Sequence, residues 1–329
     1  MLDSVRAIPS ENPIDFTIAI CTYNGAERLP LVLERLKGQI NTENIAWEII
    51  VVDNNSSDRT AQVVREYQAD WLERFPLVYQ FEPQQGLAYA RQRALSAARG
   101  ELLGFLDDDN LPAPDWVARA YEFARSHPNA GAFGGQVHAA IEGEMPAYFP
   151  KIAVFLAIVE RGSQAFIYQP QKRILPPAAG IVIRKQAWLA TVPERSLLKG
   201  RIGSSMLASE DLEFLSYLQL GGWEIWYNPQ MHIDHQIPPH RLERAYLLSL
   251  VRGIGLARHP IRMIRTNFWL QPLLFPVYTL NDLRRAILFF VNNRKAIKTD
   301  VASACEMEFL LSSLYSPFYW ATKYKKSQS

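Results

Sequence analysis

Three carboxylates, Asp107, Asp108 and Asp109, stand side by side at the end of an apolar run in the stretch FLDDDN. Close like charges stay ionised together only with a cation at hand, and oxygen ligands select Mg2+ or Mn2+. Residues two apart on a strand point the same way, so Asp107 and Asp109 can face one ligand while Asp108 points elsewhere. A cation of this kind completes its shell with phosphate oxygens and water, so a diphosphate ligand follows. A second acidic pair, Glu210–Asp211, opens the amphipathic stretch SEDLEFLSYLQLGG. The positive end of a helix dipole keeps such a carboxylate ionised, fit either to act as a base or only to stabilise the helix. His232, His235 and His240 cluster in MHIDHQIPPH, but an extended chain puts positions 232 and 235 on opposite faces. A zinc cluster is therefore not expected, and His235 alone is read as reaching a metal or diphosphate.

These groups need elements to position them. From Phe16 to about Val137 strands and helices alternate. FTIAICT, WEIIVVD, LVYQFE and ELLGFLDDD read as strands. ERLPLVLERLKGQ reads as a helix with Pro30 in its first turn, and a second helix is opened by Ser56 or Ser57 as cap. GLAYARQRALSAARG reads as a third, ending at Gly100. Near-continuous apolar strands separated by helices imply a mostly parallel sheet covered on both faces. Beyond Val137, AAGIVIRKQAW reads as a strand entering a helix. SEDLEFLSYLQLGG reads as a helix capped by Ser209, and WEIWYNP as a short strand with Trp223 and Trp226 on opposite sides. From Arg241 onward the chain reads as helices, giving an α/β unit over residues 1–240 and a helical extension over 241–329.

In an open parallel sheet, ligands bind outside the carboxyl ends of the strands. By that rule one rim collects Thr22, Tyr23 and Asn24, then Asp53, Asn54 and Asn55, then Gln85 and Gly86, then Asp107–Asn110. This gathering turns the acidic triplet from a solvated turn into a metal-site candidate. Competing motifs fail. DDDNLP lacks the glycine of an EF-hand loop, no G-x-x-x-x-G-K-[ST] occurs, and GIGLAR lacks a third glycine and a preceding strand.

The run AICTYNGAERL, EIIVVDNNSSDRT, QGLAYARQRAL, GELLGFLDDDN and SEDLEF resembles the family 2 glycosyltransferases with a GT-A fold, over about residues 14–240. The resemblance implies a Rossmann-like α/β fold and transfer of a sugar, with inversion, from a nucleoside diphosphate donor to a hydroxyl acceptor. It implies that Asp53 reads a uracil base, and that Thr22, Tyr23, Asn24 and Asn55 help hold the nucleoside. Gly86, Arg91 and Asp108 join the donor site, Asp107 meets the ribose, and Asp109 holds Mn2+ or Mg2+ with His235. The general base falls on the Glu210–Asp211 pair, with Asp211 as the base. PPAAG, residues 176–180, matches the acceptor-side segment. The family's usual ARN-x-G is here ARQRA, with Arg91 kept and Gln92 and Ala94 in place of the family residues. DHQIPPHR is similar to bacterial polysaccharide-assembly transferases, cyanobacterial ones among them, so the acceptor is expected to be a saccharide or a lipid-linked one. Two alternatives stay open: a sugar nucleotidyltransferase, against which stands the lack of a glycine-rich basic loop near the N-terminus, and a non-catalytic carbohydrate- or cation-binding scaffold.

Composition narrows the setting. Net charge is +2 over 329 residues, which calls for no nucleic acid. The charge is uneven, since residues 258–329 carry 11 Lys/Arg against 4 Asp/Glu. Phe268, Trp269, Phe275, Phe289, Phe290, Phe318, Tyr319 and Trp320 lie among those cations, so the extension is expected to meet an anionic membrane surface or a second subunit. Arg241, Arg244 and Arg252 read as solvated helix charges able to add a phosphate contact. Two cysteines, an N-terminus without an apolar h-region, and no uninterrupted apolar run of membrane length predict a cytoplasmic protein, peripheral on the inner face of the plasma membrane.

Overall fold

The computed structural model describes residues 13–71, 75–172, 174–200 and 206–328. Its centre is a parallel run of strands in the order β3-β2-β1-β4: β1 is Phe16–Thr22, β2 Trp47–Asp53, β3 Leu77–Phe81 and β4 Leu102–Asp107. All residues of β1 and β2 are buried, because helices cover both faces. Phe16, Ile18 and Ile20 pack on one side with Leu29, Val32, Leu33 and Leu36 of α1 (Leu29–Lys37), whose Pro30 sits in the first turn as expected. Ala19 and Cys21 face the other side, against Ala90, Ala94 and Leu95 of α3 (Leu87–Ala97). Burial there pushes the Cys21 thiol up to about 12, so it is inert packing. Between α1 and α3 lies α2, Thr60–Ala69. It starts later than the sequence suggests, because Ser56 and Ser57 do not cap it. Their amides bond Asp53 Oδ1 and Asn24 Oδ1, fixing residues 54–59 as a loop.

Beyond β4 the sheet becomes mixed. β8 (Ile181–Arg184) runs antiparallel to β4 and to β6 (Ala130–Ile141). β6 in turn lies parallel to β9, Glu224–Ile237, which is far longer than the short strand expected. β9 also pairs antiparallel with β5 (Asn110–Pro112) and β7 (Phe166–Ile167). Trp223 and Trp226 pack into different clusters, as alternation requires. Helix α4 (Trp116–Ser126) buries Trp116 and Phe123 under the sheet, and α5 is a single turn, Phe149–Ile152. α6 (Lys185–Thr191) follows β8 directly, and α7 spans Glu210–Leu220, closed by Gly221. Ser209 holds the N-cap position of α7, but its backbone is left-handed at φ 83° and its side chain caps nothing, contrary to expectation.

The last part is helical: α8 Arg244–Ile264, α9 Gln271–Asn293, α10 Ala296–Thr299 and α11 Val301–Gln328. α8 and α11 pack together through Leu247, Leu250, Val251, Ala302 and Cys305, and this cluster reaches Phe149, Ile152 and Ile237 of the α/β unit. Trp320 is buried, and its indole N–H donates to the Leu256 carbonyl. Among the described residues, no helix is long and apolar enough to cross a membrane.

Candidate active site

Strand register explains why the polar residues meet. Thr22 lies opposite Asp53, Cys21 opposite Asp107, and Asp53 opposite Phe81, so three parallel strands end at one level beside β3. Just above that rim is a cavity of about 850 Å3. Its polar side carries Thr22, Tyr23, Gly86, Arg91, the three aspartates, Glu210, Asp211 and His235. Of the residues the sequence assigns to the nucleoside, Asn24, Asp53 and Asn55 do not line it. Asp53 is buried, with one oxygen accepting from the Ser56 amide and the other from Tyr79 Oη at 2.8 Å. Asn24 and Asn55, both at positive φ, shape the loops beside it. The neighbour Asn54 lines the cavity instead, and its side-chain oxygen accepts from the Gly86 amide at 2.7 Å. Gly86 itself sits at φ 136°, a conformation that favours glycine.

The acidic triplet is not a continued strand. β4 ends at Asp107, and Asp108 and Asp109 occupy a turn before β5. Strict alternation is therefore lost, and all three carboxylates border the cavity. Asp108 has its own partners: Arg28 Nε and Nη2 bond its two oxygens at 2.9 Å each, and Thr22 Oγ1 donates at 2.5 Å. A side chain at Gly25 would run into that pair, its Cβ falling 2.0 Å from Thr22 Oγ1 and 2.5 Å from Asp108 Oδ2. Arg28 escaped the sequence reading, although its place six residues past Thr22, beside the acidic rim, is a signal of charge balance.

Asp109 is reached from a distant part of the chain. The β5–β9 register sets Asn110 opposite His235, and the Gln236 amide donates to the Asp109 carbonyl. His235 Nε2 thus lies 3.6 Å from Asp109 Oδ2, and Arg241 Nη1 bonds the same oxygen at 2.6 Å. Burial alone would raise the Asp109 pKa, but His235 and Arg241 outweigh it and hold the carboxyl well below the usual range. Asp107 moves the other way, pushed up to about 6 by burial and by Asp109 beside it. Arg241, read as a helix charge, is thus a site residue. His232 turns away to His138, Nδ1 to Nε2 at 2.9 Å, so the two histidines do part as expected.

Glu210 and Asp211 divide their roles by partner. Arg91 is buried between the rings of Phe105 and Phe214, and its Nη1 bonds Glu210 Oε1 at 3.2 Å. Asp211 Oδ2 accepts from the Ala178 amide at 3.1 Å and Oδ1 from its neighbour Leu212 at 2.8 Å. PPAAG therefore touches the proposed base directly. Burial raises the Asp211 pKa above the carboxylate norm, against the pull of Arg91 and the two amides.

Whether these residues suit a divalent cation turns on donor chemistry. One carboxylate and one imidazole converge at Asp109 and His235, and His235 Nδ1 is a buried nitrogen without a hydrogen-bond partner. Such a set matches an ion that takes most of its ligands from phosphate and water. Among the described residues, no three His, Cys, Asp or Glu side chains form a self-sufficient metal cage.

Residues 17–184, about half of the chain, match the profile of glycosyl transferase family 2. The chain belongs to this family. It is 25% identical to the succinoglycan biosynthesis protein ExoM of Rhizobium meliloti, over 73% of this chain and 72% of that one. To the glucosyl-dolichyl phosphate glucuronosyltransferase of Haloferax volcanii it is 21% identical, over 82% and 86%. Several further curated relatives align over only 25% to 35% of their own length. The mannosyltransferase PcManGT of Pyrobaculum calidifontis, solved with GDP-Man and Mn2+, shares the fold at a TM-score of 0.58 and 18% identity, covering 93% of this chain and 89% of that one. This glycosyltransferase thus has the α/β GT-A architecture with helices appended.

Proposed function

We propose that this glycosyltransferase moves a sugar, with inversion, from a nucleoside diphosphate donor to a hydroxyl of a saccharide or lipid-linked acceptor, in a divalent-cation-dependent reaction. The observation that carries the reading is that Asp109 with His235, and Asp211, open onto one cavity of donor size. Asp109 and His235 would hold Mn2+ or Mg2+. Bound there, the ion offsets charge on the leaving diphosphate. Arg241 supplies a cation at the same carboxylate and is placed to pass to a phosphate oxygen. Arg28 holds Asp108 and so fixes the turn that carries Asp109. Asp211 takes the acceptor proton as the acceptor oxygen bonds the anomeric carbon, while the anomeric carbon–phosphate oxygen bond breaks and its electron pair leaves with the nucleoside diphosphate. A carboxylate with a raised pKa is a stronger base and suits this step. Arg91 balances Glu210 and lends positive charge to Asp107 and Asp211.

The resemblance favours a UDP-linked donor, while Asp53, expected to read the base, lies outside the cavity with both oxygens engaged; PcManGT, with its GDP-Man, makes guanosine donors the comparison to run. The enzyme would work on the cytoplasmic side, at the inner face of the plasma membrane. The test is nucleoside diphosphate release from a panel of UDP- and GDP-sugars with Mn2+, with the anomer of the product read by NMR. Release from no donor, or a product that retains the donor anomer, would overturn the reading.

A further inference from the structure

The helical extension is not uniformly basic and aromatic once folded. α11 spends Phe309 and Trp320 on packing while its Tyr315 and Phe318 stay exposed, and Phe289 of α9 joins Ala286, Met307 and Leu310 in a small cluster. α9 is otherwise held by a narrow strip. Asp282, buried on that strip, accepts from Arg262 of α8, with one oxygen at 2.9 Å from Nη2. Around the rest of the helix, large apolar side chains stand in solvent. Trp269 is 81% exposed, Leu273 69% and Leu280 65%, and Val277, Ile287, Leu288, Phe290 and Val291 are exposed as well. Positions 273, 277, 280, 287 and 291 follow the helical repeat, so they form a stripe rather than a scatter. A soluble monomer rarely leaves a contiguous apolar surface of this extent, and such surfaces mark a membrane or a protein partner.

Charge decides between them. From Phe268 to Thr299 the only acidic residue is Asp282, and it is neutralised internally by Arg262. Arg284, Arg294, Lys295 and Lys298 are exposed on the same helix or the turn after it. An apolar stripe interrupted by the cation Arg284 and followed by Arg294, Lys295 and Lys298, with an exposed Trp at its other end, is complementary to an anionic bilayer surface and repels a second identical face. We infer that the outer face of residues 268–298 seats in the headgroup region of an anionic membrane and lies in the interface without crossing it. This rests on the reading of a lipid-linked or membrane-borne acceptor and gives that reading a place in the chain. The apolar side of the active cavity agrees with it: Val154 and Ile174 line the cavity and are both exposed, while Ile254 of α8 and Phe309 of α11 reach it from the extension.

The test is sedimentation of the full chain with vesicles of phosphatidylcholine alone and of an equimolar phosphatidylcholine–phosphatidylglycerol mixture. Binding to the mixed vesicles only, weakened at about 1 M salt where the Debye length is about 3 Å, is the expected result. Leu280→Glu with Ile287→Glu changes two exposed positions on one face and should cut that binding about tenfold or more. Lys295→Glu with Lys298→Glu should reduce it more at low salt than at high. Nucleoside diphosphate release with a soluble acceptor should be unchanged in both variants, so a failure of the catalytic reading would show there and not in sedimentation. Equal binding by the native chain and the Leu280–Ile287 variant would overturn the inference. So would a lipid-free dimer that this variant dissolves, which would assign the face to a second copy.

Discussion

The rim cavity and the outer face of α9 are opposites. In the cavity five carboxylates are gathered near Arg28, Arg91 and Arg241, mostly out of water. Along α9 apolar side chains stand in water with no acid among them except the sequestered Asp282. Each breaks an ordinary rule of folding, the first by burying charge and the second by exposing hydrocarbon. The cavity pairs three of its five carboxylates within the chain, through Arg28 on Asp108, Arg241 on Asp109 and Arg91 on Glu210. The α9 face is not balanced within the chain, which is why its partner has to be external. The two should therefore fail separately.

The sharpest way to break the comparison is to disable the cavity alone. Asp109→Asn removes the charge that would hold the cation and should lower turnover by about a thousandfold, since metal stabilisation of a leaving diphosphate is worth several kcal/mol. Mn2+-dependent binding of the nucleotide, followed by calorimetry, should weaken in parallel, while vesicle binding stays at the native level. Near-native turnover in the presence of EDTA would refute the metal role. Next in size is Asp211→Asn, which should cut turnover about a hundredfold, the scale of a lost general base, and leave nucleotide affinity almost unchanged. An equal loss of nucleotide affinity would move Asp211 into the donor site. Glu210→Gln should do less to the chemical step, because Arg91 already occupies that carboxylate. If it does more, the two residues exchange roles.

How much of this was readable before folding depends on range. The parallel strands were legible because β1 and β2 are buried on both faces and so are apolar except at Thr17 and Thr22, and at Glu48 and Asp53. Their ends gave the rim, and the acidic triplet and Glu210–Asp211 fell into the cavity. Contacts between distant segments were not legible. Arg241 meets Asp109 only because β5 pairs with β9 in a register that no local pattern encodes. Arg28 was not singled out, because its bidentate hold on Asp108 needs the turn after β4 to close. Nor could the sequence sort the aromatic residues of the extension. Trp320 and Trp269 sit in similar basic contexts, yet the first is buried and the second exposed, a difference set by which helix packs on which.

Arg241 sharpens the comparison from within the cavity. It bonds the oxygen that the cation would use, so arginine and ion compete for Asp109 in the enzyme without donor. Arg241→Gln should then bind free Mn2+ more tightly than the native chain. It should also lose about tenfold in nucleoside diphosphate affinity, the range of one charge-assisted hydrogen bond. Mn2+ titration by electron paramagnetic resonance, with and without UDP, separates the two effects. Weaker binding of free Mn2+ would make Arg241 a support of the metal site and not a rival to it.

The smallest expected effect concerns stability, and it asks whether the cavity is strained by its own chemistry. Burial raises the Asp211 pKa above that of an unfolded aspartate, about 3.9. The folded chain thus holds the proton more tightly than the unfolded one. The stability linked to that proton is complete below the unfolded pKa and is lost as pH rises through the folded one. Asparagine has no such proton to lose. Without donor or metal, Asp211→Asn should therefore melt above the native chain at neutral pH, by no more than a few degrees, with the gap closing toward pH about 4. The pH–rate profile of the native enzyme has the matching sign. Its kcat/KM should rise with pH through that raised pKa, because only the ionised carboxylate takes the acceptor proton. Scanning calorimetry across pH, on both proteins in EDTA, reads the difference directly. A native chain more stable than the variant at every pH would mean that the Ala178 and Leu212 amides more than offset burial, and that Asp211 is not poised above the ordinary carboxylate range.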